Sequence, residues 1–294
     1  MRVAILSAHT GWHTDELCRA LAERGHVGRV VPYEALVARL GTSKGLAPSL
    51  AADAEELTAA DAVLPRIIPN GSLEQIIYRV DALHWLEERG TLVLNRPRAI
   101  ERCIDKFYTS AILQEAGLPT PETVVCERSE DAIAAFRQMG DAVVKPLFGS
   151  MGLGMVRVTE EDTAFRVFRA IEAIRGVYYL QRTVDHGGHD VRAFVVGERV
   201  IGAIERRAAD GGWRTNISRG GEARAVALSP AREDLAVRAA RAVGADYAGV
   251  DLLPERDGTA YVLEVNGIPG WEGLQAATSL DVAGAIVDQL LVRA

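Results

Sequence analysis

Short apolar runs and amphipathic stretches alternate from the first residues onward. "RVAIL" reads as a strand, Thr14 as the cap of a helix through "DELCRALAER", and Gly25 as its C-terminal stop. "HVGRVVPY" and "DAVLPRII" are further short strands. "SLEQIIYRVDALHWLEERG" is a helix capped by Ser72 and stopped by Gly90, and "TLVLN" closes the unit. A second part opens with the helix "PRAIERCIDKFYTSAILQEAG" and continues through "LPTPETVV", a helix capped by Ser129, and "AVVKPLFGSMGLGMVRV". The third opens at "YYLQRTV" and holds the strands "VRAFVVG" and "RVIGAIER". The helix "SPAREDLAVRAARAVG", with Ser229 as cap and Pro230 in its first turn, then leads to a hairpin and a C-terminal helix. The pattern predicts an α/β (α+β) chain in three parts, 1–95, 96–177 and 178–294, with no internal repeat.

The hairpin "AGVDLLPERDGTAYVLEVNGIPGW" departs from a simple apolar pattern. Asp257-Gly258 favours a two-residue turn, which pairs Arg256 with Thr259 and sets Asp251 opposite Glu264. Glu264 and Asn266 then share a face with Asp251, while Val250, Leu252, Tyr261, Leu263 and Val265 form a core layer. Two facing carboxylates repel unless something positive lies between them. Two carboxylates and an amide oxygen are hard donors that suit Mg²⁺ or Mn²⁺; a solvated acidic face is the alternative.

In "VVKPLFGSMGLGMVRV" a strand ends in Lys145, a loop carries Gly149, Ser150, Gly152 and Gly154, and a second strand follows at once. This is a glycine-rich hairpin, not a strand–loop–helix, so it is neither a P-loop nor a dinucleotide fingerprint. Either its backbone amides approach phosphates, with Lys145 adding charge, or it is a flexible hairpin without a ligand. Lys106 on its helix, "QRTV" (Gln181 to Val184), Asp190 with Arg192 on one strand face, and Arg214, Asn216 and Arg219 in "WRTNISRGG" each have a plain structural role available. Together with the acidic hairpin they call for a common explanation.

Composition narrows the classes. The chain has 294 residues, 48% of them hydrophobic, and a net charge of −7, which argues against bulk nucleic-acid binding. No apolar run has the length of a membrane span, the N-terminus lacks a signal-peptide layout, and Cys18, Cys103 and Cys126 lack metal spacing. A cytoplasmic protein with reduced thiols and no side-chain nucleophile is the expectation.

Set in order, these pieces resemble the ATP-grasp superfamily and, within it, the RimK-type ligases. "DVRAFVVGERVIGAIERRAADGGWRTNISRGGEA", "GVDLL" and "LEVNGIPGWEG" carry the resemblance, which extends over nearly the whole chain. It implies a Rossmann-like pre-ATP-grasp domain, a central lid subdomain and a C-terminal catalytic subdomain, with ATP between the last two. By resemblance, Lys106 and Lys145 reach the phosphates under the Gly149–Gly154 loop, including Ser150 and Gly152. Gln181, Arg182, Thr183 and Val184 hold adenine, Asp190 lies near the ribose, and Arg214, Thr215 and Asn216 contact the nucleotide. Asp251, Glu264 and Asn266 match ligands of two Mg²⁺ ions, for which Mn²⁺ can substitute. Many relatives have an acidic residue where Arg182 stands.

The implied reaction is activation of an acceptor carboxylate as an acyl phosphate, with release of ADP, followed by attack of the amine of L-glutamate. Arg219 is expected to hold the acyl phosphate or the oxyanion, and Arg206 or Arg207 a carboxylate of the incoming amino acid. The helix from Ser72 and "IDKFYTSAIL" are similar to the branch that glutamylates one-carbon carrier cofactors, with a tetrahydromethanopterin-like or methylofuran-like acceptor. His9, Trp12, Arg66 and Trp271 are candidates for the acceptor pocket, unless the tryptophans simply pack an interface. The alternatives are a protein acceptor (a ribosomal tail or an amino-acid carrier protein), a dipeptide ligase, and a non-catalytic ATP-binding protein. A homo-oligomer, dimer or tetramer, is implied; nucleic-acid and membrane partners are not.

Overall fold

A computed structural model describes residues 1–41, 49–53, 55–149, 152–208, 222–254 and 258–294. The N-terminal unit is built on a parallel sheet of β1 (Arg2–Ser7), β2 (Val27–Pro32), β6 (Ala62–Pro65) and β7 (Leu92–Val93), in the order β2-β1-β6-β7. Between β2 and β6 runs a small antiparallel sheet, β3 (Leu36–Arg39), β4 (Ser49–Ala52) and β5 (Glu55–Glu56). α1 (Trp12–Glu23) and α2 (Leu73–Glu88) are the crossover helices. α1 starts three residues earlier than the sequence predicts. Gly11 is its N-cap, and Thr14 acts from inside the first turn, its Oγ1 accepting from Gly11 N at 2.9 Å and donating to Gly11 O at 2.7 Å. Ser72 caps α2 as expected, in a reciprocal capping box with Gln75.

The long helix expected after residue 96 is two helices, α3 (Pro97–Ile104) and α4 (Lys106–Glu115). Asp105 breaks it: in extended backbone, its carboxylate accepts from Tyr108 N at 2.9 Å and caps the second helix. Lys106 therefore stands at the first position of a new helix. The central sheet comprises β8 (Thr123–Cys126), β9 (Ala142–Lys145), β10 (Val156–Val158) and β11 (Tyr178–Arg182), ordered β10-β9-β11-β8. β9 and β10 pair antiparallel around the glycine loop, as the sequence predicts. β11, read from sequence as the opening of the third part, inserts between β9 and β8. α5 (Ser129–Met139) and α6 (Glu161–Ala173) pack Phe136 and Phe168 onto this sheet. Ser129 is the first residue of α5, and its cap position, Arg128, makes no side-chain capping bond.

The C-terminal sheet holds β12 (His189–Val196), β13 (Arg199–Arg207), β14 (Glu222–Ala225), β15 (Tyr247–Pro254) and β16 (Ala260–Asn266), ordered β14-β13-β12-β15-β16. α7 (Pro230–Val243) covers one face, joined by Leu113 of α4. α8 (Glu272–Thr278) and α9 (Val282–Arg293) end the chain, and Phe194, Ile204, Trp271 and Ile286 share a core with Ile5 and Leu17 of the N-terminal unit. No helix among the described residues is long and apolar enough to cross a membrane.

Asn95 joins the two units. Its Nδ2 donates to Tyr247 O and Gly267 O, each at 2.7 Å, and its Oδ1 accepts from Asp246 N at 2.6 Å and Tyr247 N at 3.2 Å. Asn95→Ala strands these four backbone groups, most of them buried, and a loss of about 3 kcal/mol is expected in urea denaturation.

Candidate active site

Asp251 lies opposite Glu264, and Gly249 opposite Asn266, in the register predicted. A bulge between Asp251 and Leu252 then displaces the pairing by one residue, so Leu252 faces Val262 instead of Leu263. The buried layer is accordingly Val250, Leu252, Val262 and Val265; Tyr261 and Leu263 are not part of it. Leu263 instead lines a small cavity beside Glu264. Asp257 of the predicted turn and Arg256, the predicted partner of Thr259, lie outside the described residues.

That cavity gathers residues distant in sequence: Cys103, Lys106, Thr109, Lys145, Tyr179, Leu263 and Glu264. Lys106 reaches across from α4, donating through Nζ to Gly149 O at 2.7 Å, so the glycine loop is tied to the helix start. Lys145, at the end of β9, is 7% exposed and donates to Gln181 Oε1 at 2.5 Å. Burial pushes the Lys145 ammonium down to about 8, with Lys106 adding to the shift and Glu264 opposing it. Lys106 is lowered for the same first reason, against the attraction of Glu264 and Asp105. Two desolvated cations beside one carboxylate leave positive charge that an anionic ligand would neutralise. Cys103 is pushed up to about 12, first by burial and then by Glu264, which suits a thiol without nucleophilic work.

On the neighbouring strands lies a second set. Asp251 Oδ1 accepts from Arg192 Nε at 2.7 Å, and Oδ2 accepts from Arg192 Nη2 at 2.7 Å and Arg206 Nη2 at 2.8 Å. Arg206 also grips Asp190 through both oxygens at 2.7 Å. Burial alone would raise the Asp251 carboxyl, but the two guanidiniums outweigh it and hold the group at about 2. Arg206, expected to receive a substrate carboxylate, is buried and already occupied by two protein carboxylates, while Arg207 pairs with Glu205. Asp190 is buried in the same network.

A hard divalent cation fits part of the predicted donor set directly. Glu264 takes no hydrogen bond from a described residue, and Asn266 Oδ1 accepts one, from Ile268 N at 3.0 Å. Asp251 has about one of its roughly four acceptor positions left after three N–H bonds. No group of three or more His, Cys, Asp or Glu side chains is placed to hold a metal among the described residues.

Near the end of β11, Gln181 faces the cavity network, donating to Thr123 Oγ1 at 3.0 Å. Arg182 turns outward, its Nε donating to Glu122 at 2.8 Å. Thr183 Oγ1 donates to Asp141 at 2.6 Å, and Val184 is buried. Gly152 and Gly154 both have positive φ, which the tight turn after the loop requires. Ser150, Arg214, Thr215, Asn216 and Arg219 lie outside the described residues. Of the residues proposed for an acceptor rim, Trp271 is 1% exposed and packs against His13, Trp12 and Phe194, so it is core. Sequence reading saw Arg192 only as a face-mate of Asp190. Its partner Asp251 is 59 residues away on the adjacent strand, a pairing no local pattern encodes.

Comparison with known proteins places this geometry. Residues 103–290 match the RimK-like ATP-grasp domain and residues 1–100 the RimK PreATP-grasp domain. A tetrahydromethanopterin:alpha-L-glutamate ligase of Methanosarcina acetivorans is 33% identical over 95% of each chain. A probable alpha-L-glutamate ligase of Vibrio cholerae is 34% identical over 98% of this chain and 94% of its own. Among solved structures, the ATP-grasp ligase PsnB, complexed with a phosphomimetic variant of its minimal precursor, Mg and ADP, shares the fold. Its TM-score is 0.74 at 24% identity, over 99% of this chain and 98% of that one. With both halves matched and relatives aligned almost end to end, the chain belongs to the RimK-like ATP-grasp family of alpha-L-glutamate ligases.

Proposed function

We propose that the protein is an ADP-forming acid–amino-acid ligase that joins L-glutamate to the carboxylate of a small one-carbon carrier cofactor, tetrahydromethanopterin-like or methylofuran-like. The observation that carries this reading is the meeting of Lys106, Lys145 and Glu264 in one cavity, with Gly149 tied to Lys106. The tetrahydromethanopterin ligase among the relatives supports the acceptor class.

In this reading Lys106 and Lys145 hold the ATP phosphates under Gly149, Ser150, Gly152 and Gly154. Backbone groups of Gln181 to Val184 take the adenine, with Arg182 serving only to fasten the strand edge. Arg214, Thr215 and Asn216 complete the nucleotide contacts, and Asp190 acts on the site through Arg206. Asp251, Glu264 and Asn266 hold Mg²⁺, which when bound spreads the charge of the transferring phosphoryl group. The acceptor carboxylate attacks the γ-phosphorus and ADP leaves; the amine of glutamate attacks the resulting acyl carbon and phosphate leaves. Arg219 steadies the oxyanion. Positioning and electrostatics supply the catalysis, in a cytoplasmic homo-oligomer.

The experiment combines purified protein, Mg²⁺-ATP and isotope-labelled L-glutamate with the small-molecule and protein fractions of the source organism's extract. Label on a pterin- or furan-like molecule is expected. Label on a polypeptide would move the acceptor to a protein, and no ATP turnover with any acceptor would leave a nucleotide-binding protein.

Phosphate binding needs the Lys145 ammonium, whose pKa in the free protein is about 8. Affinity for a non-hydrolysable ATP analogue is therefore expected to fall as pH rises from 7 to 9.5, by roughly thirtyfold, with an inflection near that value. Lys145→Arg, which stays charged, should flatten that inflection in calorimetric titrations.

A further inference from the structure

The carboxyl end of the N-terminal sheet holds buried donors that the described residues do not satisfy. From β1 the chain passes to β2 on one side and later to β6 on the other, so the carboxyl ends of β1 and β6 frame a topological switch point. Parallel sheets take ligands at such points. Arg66 is the first residue beyond β6 and is 2% exposed. Its Nη2 donates to Pro269 O at 3.0 Å, but its Nη1 is buried with no acceptor. The guanidinium lies 4.7 Å over the ring of Trp271, whose Nε1 is likewise buried without an acceptor. Tyr33, the residue after β2, carries a third group of this kind, its hydroxyl. β2 and β6 flank β1 in parallel, so Tyr33 and Arg66 follow strands that end at the same edge of the sheet. Burial raises the pKa of the Tyr33 hydroxyl, Tyr247 adds to the rise, and Arg66 and Arg79 oppose it.

Among the described residues no carboxylate pairs with Arg66. Arg79 is buried too, and meets the exposed Glu34 carboxylate only at 4.0 Å while its Nη1 holds Pro69 O at 2.7 Å. His13 is pushed down to about 4, by burial first and by Arg66 second, and stays neutral. A buried guanidinium with an unfilled N–H is costly unless an anion completes it. Two donors, one cationic and one phenolic, match the two oxygens of a carboxylate. The loop that touches Arg66 through Pro269 begins at Asn266, so an anion here lies one short loop from the proposed metal ligands.

We propose that Arg66 and Tyr33 form the recognition subsite for a non-reacting carboxylate of one of the two ligation substrates, the amino acid or the acceptor. The substrate assignment rests on the ligase reading above. The subsite takes over the role that sequence gives to Arg206, whose guanidinium Asp190 and Asp251 already occupy.

Calorimetry on the full chain, with Mg²⁺ and a non-hydrolysable ATP analogue present, tests it with three probes: L-glutamate, tetrahydromethanopterin and glutarate. Arg66→Met is expected to weaken one substrate at least tenfold, and Tyr33→Phe about threefold, with affinity for the ATP analogue unchanged. A loss confined to L-glutamate assigns the subsite to the amino acid; a loss confined to tetrahydromethanopterin assigns it to the acceptor. Tyr33→Phe, which removes a single oxygen, carries the test if Arg66→Met does not fold. Unchanged affinity for every probe, or no carboxylate binding to the wild-type protein, overturns the proposal. A protein that transfers no labelled glutamate yet loses glutarate binding on Arg66→Met would overturn the ligase reading and leave the subsite standing.

Discussion

Glu264→Gln is expected to lower ligation by about a thousandfold while changing stability by no more than about 1 kcal/mol. The two effects separate because of where Glu264 sits. It takes no hydrogen bond from a described residue, so an amide of the same shape strands no partner. Its charge, however, opposes the lowering of Lys145 and, together with Asp105, that of Lys106. In the variant the Lys145 ammonium should titrate below its present value of about 8, so nucleotide affinity at neutral pH falls together with turnover. Steady-state ADP release, urea denaturation and analogue binding measured on one preparation check all three. Full activity with an intact fold would remove Glu264 from the metal set.

Asp251→Ala is expected to behave differently, losing activity and about 3–5 kcal/mol of stability together. Reading the hairpin alone predicts a protein inactive but intact. The network overturns that expectation, because buried Arg206 and half-buried Arg192 would keep their charges after losing a shared carboxylate. Asp251 has a depressed pKa in the folded state, about 2, against an ordinary carboxylate value near 4. Its contribution to stability is therefore complete above about pH 4 and is lost as pH falls through about 2. The stability gap between wild type and Asp251→Ala should stay constant from pH 7 to about 5, and begin to close only below about pH 4. Equal unfolding midpoints for the two proteins at pH 7 would show that the ion-pair network contributes nothing.

What the chain determined by itself was local or carried by dense motifs. Ser72 and Ser229 mark their helix starts because a side-chain oxygen three residues from an amide is a local fact. The pairing of Asp251 with Glu264 followed from counting along one hairpin, and the family from "DVRAFVVG", "GVDLL" and "LEVNG" in order. Tertiary structure decided whatever depends on elements that meet across long separations. The bulge beside Asp251 exchanged Tyr261 and Leu263 for Val262 in the core, because packing against α7 decides which register survives. Asp105 ended a helix whose pattern runs on, since a cap that satisfies Tyr108 N competes with continuation. The joining of Arg192 and Arg206 to Asp251, and of Arg66 to Trp271 more than 200 residues away, has no local signal at all. Burial turns those side chains from solvated charges into groups that must find partners, and only the assembled fold determines which partners are within reach.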